Sequence, residues 1–71
     1  MENLLVNFPD DREVLIDAKL NGRTNQIIDV EAGTHIISLK TPPQNFKPSR
    51  KKIVISETSP FTPKEVTFVK I

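Results

Sequence analysis

Asp10-Asp11-Arg12-Glu13 sets three carboxylates within four residues and is the first stretch whose composition suggests chemistry. An oxygen-rich loop holds calcium when ligands alternate and a glycine bends the backbone, as in D-x-D-x-D-G. Here Arg12 occupies the middle and no glycine follows, so the stretch reads as a solvated turn. His35 is the only imidazole and the chain has no cysteine. No transition-metal set is therefore expected, and no placed Ser/Asp pair completes a nucleophilic triad. His35 falls on the inward side of its alternating run next to a turn. There an imidazole serves to satisfy a backbone group at the core rim, the alternative being a protonation switch near ~6.5. Two glycines, Gly22 and Gly33, do not make a phosphate-cradling loop, and no carboxylate pair has the spacing of an acid/base couple. The chain is expected to be non-enzymatic and to need no metal or cofactor.

The densest charge lies at Lys47-Pro48-Ser49-Arg50-Lys51-Lys52, four bases in six residues without an acid. Lys47, Arg50, Lys51 and Lys52 form a candidate patch for nucleic acid or another anionic polymer. Single-stranded nucleic acid is normally gripped by aromatics as well as cations. The chain has four Phe and no Tyr or Trp, and Phe8, Phe46 and Phe68 are wanted by the core. A solvated loop and strand end is the plainer reading, and the same shortage of stacking rings argues against carbohydrate. Over the whole chain the charges divide. Residues 1–32 hold seven acids and three bases (net −4), and residues 33–71 hold seven bases and two acids (net +5). The division suits strand pairing within the chain, or head-to-tail packing between copies, the former being the expectation.

The elements that would position these groups alternate with period two. Leu4, Val6 and Phe8 face one way, followed after Pro9-Asp10-Asp11 by Val14 and Ile16, then Ile28 and Val30. His35, Ile37 and Leu39 follow the Glu31-Ala32-Gly33 turn; Ile53 and Ile55, then Val66 and Phe68, complete the inward set. Residues 10–20 contain helix formers, yet Val14, Ile16, Ala18 and Leu20 repeat at two rather than at three and four, which argues against a helix. Prolines 42, 43 and 48 interrupt ladder bonding between Thr41 and Ser49, and Glu57 to Pro63 is a second proline-marked loop. Six short runs with turns every eight to twelve residues predict an all-β sandwich or barrel in one domain, residues 1–71. A chain this short buries only roughly 60% of its unfolded surface, so its core is economical or it leans on a partner.

Three stretches resemble a known family. Val14-Leu15-Ile16-Asp17-Ala18-Lys19-Leu20-Asn21-Gly22-Arg23-Thr24 is similar to the "VYVDGKLVGKTP" core of PEGA domains, and Glu31-Ala32-Gly33-Thr34-His35-Ile36-Ile37-Ser38-Leu39 to their "PAGTHTVRL" segment. Gln44-Asn45-Phe46-Lys47-Pro48 resembles their "PGYKP" element, so the likeness runs over about residues 4–56. The naming motif is replaced by Pro9-Asp10-Asp11-Arg12, the Asp-Gly turn by Asp17-Ala18, the following proline by Asn25 and the glycine before the aromatic by Asn45. The resemblance implies a small antiparallel β-sandwich of about six to seven short strands, with prealbumin-like or carbohydrate-binding-like topology and no catalysis of its own. It also puts a bend at Asp17-Ala18, whereas local chemistry alone picks Asn21-Gly22, a strong two-residue hairpin signal. Two bends are expected, near Asp17–Lys19 and near Asn21–Thr24. Ala18 tolerates positive φ poorly, so the first should be a type I turn or a longer loop.

Leu5, Leu15, Ile36, Val54 and Val69 alternate with the inward sets and form a second apolar stripe. Either loops such as Thr41–Ser49, or Phe61, cover it, or it is an interaction face for a neighbouring domain, another copy or a host protein. Edge strands offer a second route by strand addition, with Lys64, Lys70, Pro60 and Pro63 guarding against unwanted pairing. No apolar run reaches the length of a membrane span or a signal-peptide core, so the chain is expected to be cytoplasmic or a domain excised from a surface or exported protein. The functional expectation is a non-catalytic structural or protein-interaction module, with anionic-polymer binding as the alternative.

Overall fold

The computed structural model describes all 71 residues. Nine strands follow one another without a helix: β1 (Glu2–Asn7), β2 (Glu13–Ile16), β3 (Lys19–Arg23), β4 (Ile27–Val30), β5 (Gly33–Leu39), β6 (Phe46–Lys47), β7 (Lys51–Ile55), β8 (Lys64–Thr67) and β9 (Val69–Lys70). No helix is long and apolar enough to cross a membrane. A three-stranded sheet in the order β4-β1-β8 packs on a four-stranded sheet in the order β3-β2-β5-β7, and β6 pairs with β9 at the side. The fold is a small all-β sandwich. Every pairing is antiparallel except β1 with β8, which run parallel, so the first and last long strands lie side by side. The six expected runs are β1, β2, β4, β5, β7 and β8. Beyond them stand β3 and the two-residue strands β6 and β9.

Period-two alternation delivers the core between the sheets. Leu4, Val6, Phe8, Val14, Ile16, Ile28, Val30, Ile37, Leu39, Phe46, Ile55, Val66 and Phe68 are buried in one cluster, with Ile53 half-buried against it. Phe46 sits edge-to-face against both Phe8 and Phe68, with ring centroids 6.2 and 5.7 Å apart. Such a geometry sets ring edges against the negative π faces, a preference that adds to the area each ring buries.

The first bend is a two-residue hairpin at Asp17-Ala18, since Ile16 and Lys19 pair directly across it. Asp17 (φ 52°) and Ala18 (φ 67°) both lie in the left-handed region, the signature of a type I′ turn. The expected type I turn or longer loop is thus corrected. A type I′ turn matches the twist of the flanking strands, and Asp17 is fixed by its own bonds: its N–H donates to the Ile36 carbonyl (2.9 Å) and Oδ1 accepts from the Ile36 N–H (2.9 Å). Asn21-Gly22 does not turn the chain. Glu13 pairs with Arg23 and Leu15 with Leu20, so β3 carries one residue more than β2 and bulges. Gly22 supplies the positive φ of +80° that this bulge requires. A Cβ there would lie 2.6 Å from Ile28 Cγ1, so the bare backbone also lets β3 approach β4 across the sandwich edge.

The second bend falls at Thr24 to Gln26, a little beyond the expected position, with Asn25 at φ 63°. Asn25 Nδ2 donates to the Phe8 carbonyl (2.7 Å) and its Oδ1 accepts from the Phe8 N–H (3.3 Å). Buried Thr24 donates to the Asp10 carbonyl (2.7 Å) and accepts from the Arg12 N–H (2.9 Å). These two side chains lace the β3–β4 turn to the β1–β2 turn. No buried side-chain polar atom lacks a partner.

Candidate docking face

The carboxylates that opened the sequence are each engaged by a cation. Arg23 Nε meets Asp11 at 2.8 Å and its Nη1 meets Glu13 at 3.9 Å, while Lys70 Nζ meets Asp10 at 2.7 Å. Asp11 and Glu13 in turn hold the Arg23 guanidinium above its ordinary pKa. They line a polar hollow of about 260 Å³ with Arg12, Lys40 and Pro42. Arg12 organises the neighbouring loop. Its Nη1 donates to Asn45 Oδ1 (2.7 Å), its Nη2 to the carbonyls of Lys40 and Pro43, and its guanidinium lies 5.9 Å from the Phe8 ring centre and 5.4 Å from that of Phe46. Arg12 thereby ties the Thr41–Ser49 connection to the aromatic end of the core.

His35 is half-buried at the sheet rim, where both ring nitrogens meet acceptors. Nδ1 lies 2.7 Å from Asp17 Oδ2 and Nε2 lies 2.7 Å from the Glu31 carbonyl. A neutral ring donates from one nitrogen only, so two acceptors select the imidazolium. Asp17, and after it the Glu31 carbonyl, accordingly raise the His35 pKa above 6.5. The Ile36 N–H, followed by His35, lowers the Asp17 pKa below 3.8. The pair clamps the β2–β3 turn to β5. A comparable lacing at the opposite sheet joins Glu2 to Thr58, whose N–H and hydroxyl both donate to Oε1 and lower the Glu2 pKa.

Register divides the five alternating apolar residues among three surfaces. Leu15 stands opposite Ser38 on one side and Leu20 on the other, Ile36 opposite Lys52, and Val54 opposite Thr34. Directly paired residues share a face, so Leu15, Leu20, Ile36 and Val54 all lie on the outer face of the four-stranded sheet. Leu20 repeats at two with Val14 and Ile16 in the sequence but lies on the opposite face. The two-residue turn resets the alternation and carries it outward, where it is 55% exposed. Ile36 and Val54 are 41% and 62% exposed, so neither is covered. Phe61 is 95% exposed and shields nothing. Leu5 lies on the outer face of the three-stranded sheet, paired with Ile27 and Glu65, and Val69 sits on β9 opposite Lys47.

The basic cluster is divided in the same way. Lys51 pairs with Ile37 and takes the core side of β7, Lys52 pairs with Ile36 and points outward, and Lys47 lies on β6. Arg50 joins Leu15, Asp17, Ala18, Ile36 and Ser38 around a shallow trough of about 400 Å³ on the outer face. None of Lys47, Arg50, Lys51 and Lys52 pairs with a carboxylate. Of the second half's cationic groups only Lys70 and His35 reach acids of the first half, so ion pairing accounts for little of the charge division. The result is an apolar strip with two unpaired cations beside it. Sequence alternation could not have placed Leu20 or Arg50 on it, because both positions depend on turn type and register. Comparison with protein-family models, with curated proteins and with solved structures finds no match to this chain.

Proposed function

We propose that the chain is a non-catalytic, PEGA-like interaction module that docks a protein partner through the outer face of its four-stranded sheet. The observation that carries this reading is the gathering of Leu15, Leu20, Ile36 and Val54 on one uncovered face. Single exposed apolar side chains are ordinary on any soluble surface, whereas a contiguous set marks contact with a partner. The order and spacing of the three PEGA-like stretches support the same reading. The free edges at β3 and β7 give a partner strand a second place to add. The test compares what the chain retains when purified gently from its native source with what a Val54→Arg/Ile36→Asp variant retains, using Phe61→Arg, in the exposed loop between β7 and β8, as the control. A specific partner kept by the chain and the control, and lost by the double variant, is expected. Equal retention by all three refutes the reading.

A second reading, binding of an anionic polymer, draws on the unpaired state of Lys47, Arg50, Lys51 and Lys52. It requires affinity for polyphosphate or heparin that falls steeply with salt through counterion release. Binding that is absent, or indifferent to salt, eliminates it.

A further inference from the structure

The two outer faces of the sandwich carry opposite charge around apolar centres. On the four-stranded sheet, Lys52 lies beside Ile36 and Arg50 borders the trough, flanking Leu15, Leu20 and Val54. On the three-stranded sheet, Ile27, Leu5 and Glu65 stand in one row, and the next row sets Asp29 beside Asn3. Asp29 and Glu65 are exposed, and neither pairs with a cation. Asn7 Nδ2, donating to Glu65 Oε1 at 3.1 Å, is the one side chain that touches either carboxylate. Each face thus presents aliphatic side chains beside two unpaired charges, positive on one sheet and negative on the other.

We propose that the occupant of the four-stranded face is a second copy of this chain, presented by its three-stranded face, so that Arg50 and Lys52 of one copy meet Asp29 and Glu65 of the next. Leu15, Ile36 and Val54 then pack against Leu5 and Ile27, in the manner of two stacked sheets about 10 Å apart. This rests on the reading of the four-stranded face as a docking surface and names its partner. Because the two patches lie on opposite sides of the sandwich, the contact is heterologous and does not close on itself. A dimer leaves one patch of each kind free, and growth continues by the same contact.

The contact is small. Four strands about 4.8 Å apart and five residues at about 3.3 Å give a footprint of roughly 300 Å², well short of the ~800 Å² per partner of a stable standard interface. The association is therefore weak and reversible, with dissociation constants on the order of 0.1–1 mM. Charges complementary across such a contact act chiefly by steering and by rejecting wrong registers, and salt screens them.

Sedimentation velocity of the full chain over a range of about 0.05 to 2 mM tests the proposal. The expected result is a weight-average sedimentation coefficient that climbs with concentration without a dimer plateau and falls when salt is added. Arg50→Glu/Lys52→Glu makes both faces acidic, and Asp29→Lys/Glu65→Lys makes both basic. Each variant alone should associate about tenfold more weakly or less, whereas an equimolar mixture of the two should regain association, because each face again meets its opposite. Unchanged thermal midpoints show that the exposed substitutions leave the fold intact. A chain that stays monomeric to the top of the range, a plateau at dimer, or a mixture no better than its components overturns the proposal. If a different protein is lost on Val54→Arg/Ile36→Asp while the pure chain stays monomeric, the docking face stands and the second copy as its occupant does not.

Discussion

Ala18→Gly should stabilise this protein, although glycine usually weakens a folded chain. Ala18 sits at φ 67° as the second central residue of the two-residue turn between β2 and β3. Its Cβ crowds the following carbonyl there, a strain of about 1–2 kcal/mol that glycine lacks. Against this, glycine enlarges the conformational freedom of the unfolded chain, costing about 0.4–1 kcal/mol. The balance is a gain of about 0.5–1 kcal/mol. For a chain of this size that gain raises the thermal midpoint by about 2–8 °C. Differential scanning calorimetry, with urea unfolding to confirm that the slope with denaturant is unchanged, measures it directly. A neutral or lowered midpoint would show that residue 18 does not occupy the left-handed region, and with it that the turn lies elsewhere. The turn matters to function because Asp17 and Ala18 form one wall of the trough beside Leu15 and Ile36.

Gly22→Ala should do the opposite, since the new Cβ meets Ile28 at 2.6 Å and inherits a φ of +80°; a loss of about 2–4 kcal/mol, read by urea unfolding, is expected. Arg12→Ala removes three hydrogen-bond donations and two ring contacts. It should cost about 2–3 kcal/mol, discounted from the sum of its bonds because the guanidinium is partly solvated. Arg12→Lys should restore less than half of that loss, because one ammonium cannot span the three acceptors. The His35–Asp17 clamp makes stability depend on pH from both sides. His35, with its pKa raised above 6.5, contributes fully below that value, and its contribution is lost as pH rises through the folded value. Asp17, lowered below 3.8, contributes above that value, and its contribution is lost as pH falls through the folded value. The thermal midpoint of the native chain minus that of His35→Gln should therefore be greatest between about pH 4 and 6.5 and shrink above it; a difference that is flat across pH 5–9 refutes the clamp.

The inward half of the fold was legible because alternation is a local property. Leu4, Val6, Phe8, Val14, Ile16, Ile28, Val30, Ile37, Leu39, Ile55, Val66 and Phe68 all lie in the core where period two places them. What alternation does not carry is register. It states that Leu5 and Leu15 oppose their inward neighbours, but not that they emerge from opposite sides of the sandwich. It likewise cannot foresee that Asn21-Gly22 serves a bulge, because the bulge is a matter of register between β2 and β3, and the closeness of Gly22 to Ile28 appears only once β3 and β4 meet. Asp17-Ala18 could take the turn because Ile36 and His35, distant in sequence, hold Asp17 in its left-handed conformation. Arg12 looked like an interruption among acids. Its partners at Lys40, Pro43 and Asn45 become visible only once the proline-rich connection is folded back over the β1–β2 turn. Leu20 and Arg50 reached the candidate face through the same long-range geometry.

The most direct test of the outer face as an interface replaces Val54, in the native source, with a photo-activated crosslinking amino acid, and places the same probe at Phe61, in the exposed loop between β7 and β8, for comparison. Irradiation should yield a discrete covalent adduct from position 54, with a protein partner or a second copy of this chain, that Ile36→Asp suppresses and that the probe at position 61 does not form. No adduct from position 54, or the same adducts in the same yield with Ile36→Asp present, would mean that Leu15, Leu20, Ile36 and Val54 face only water.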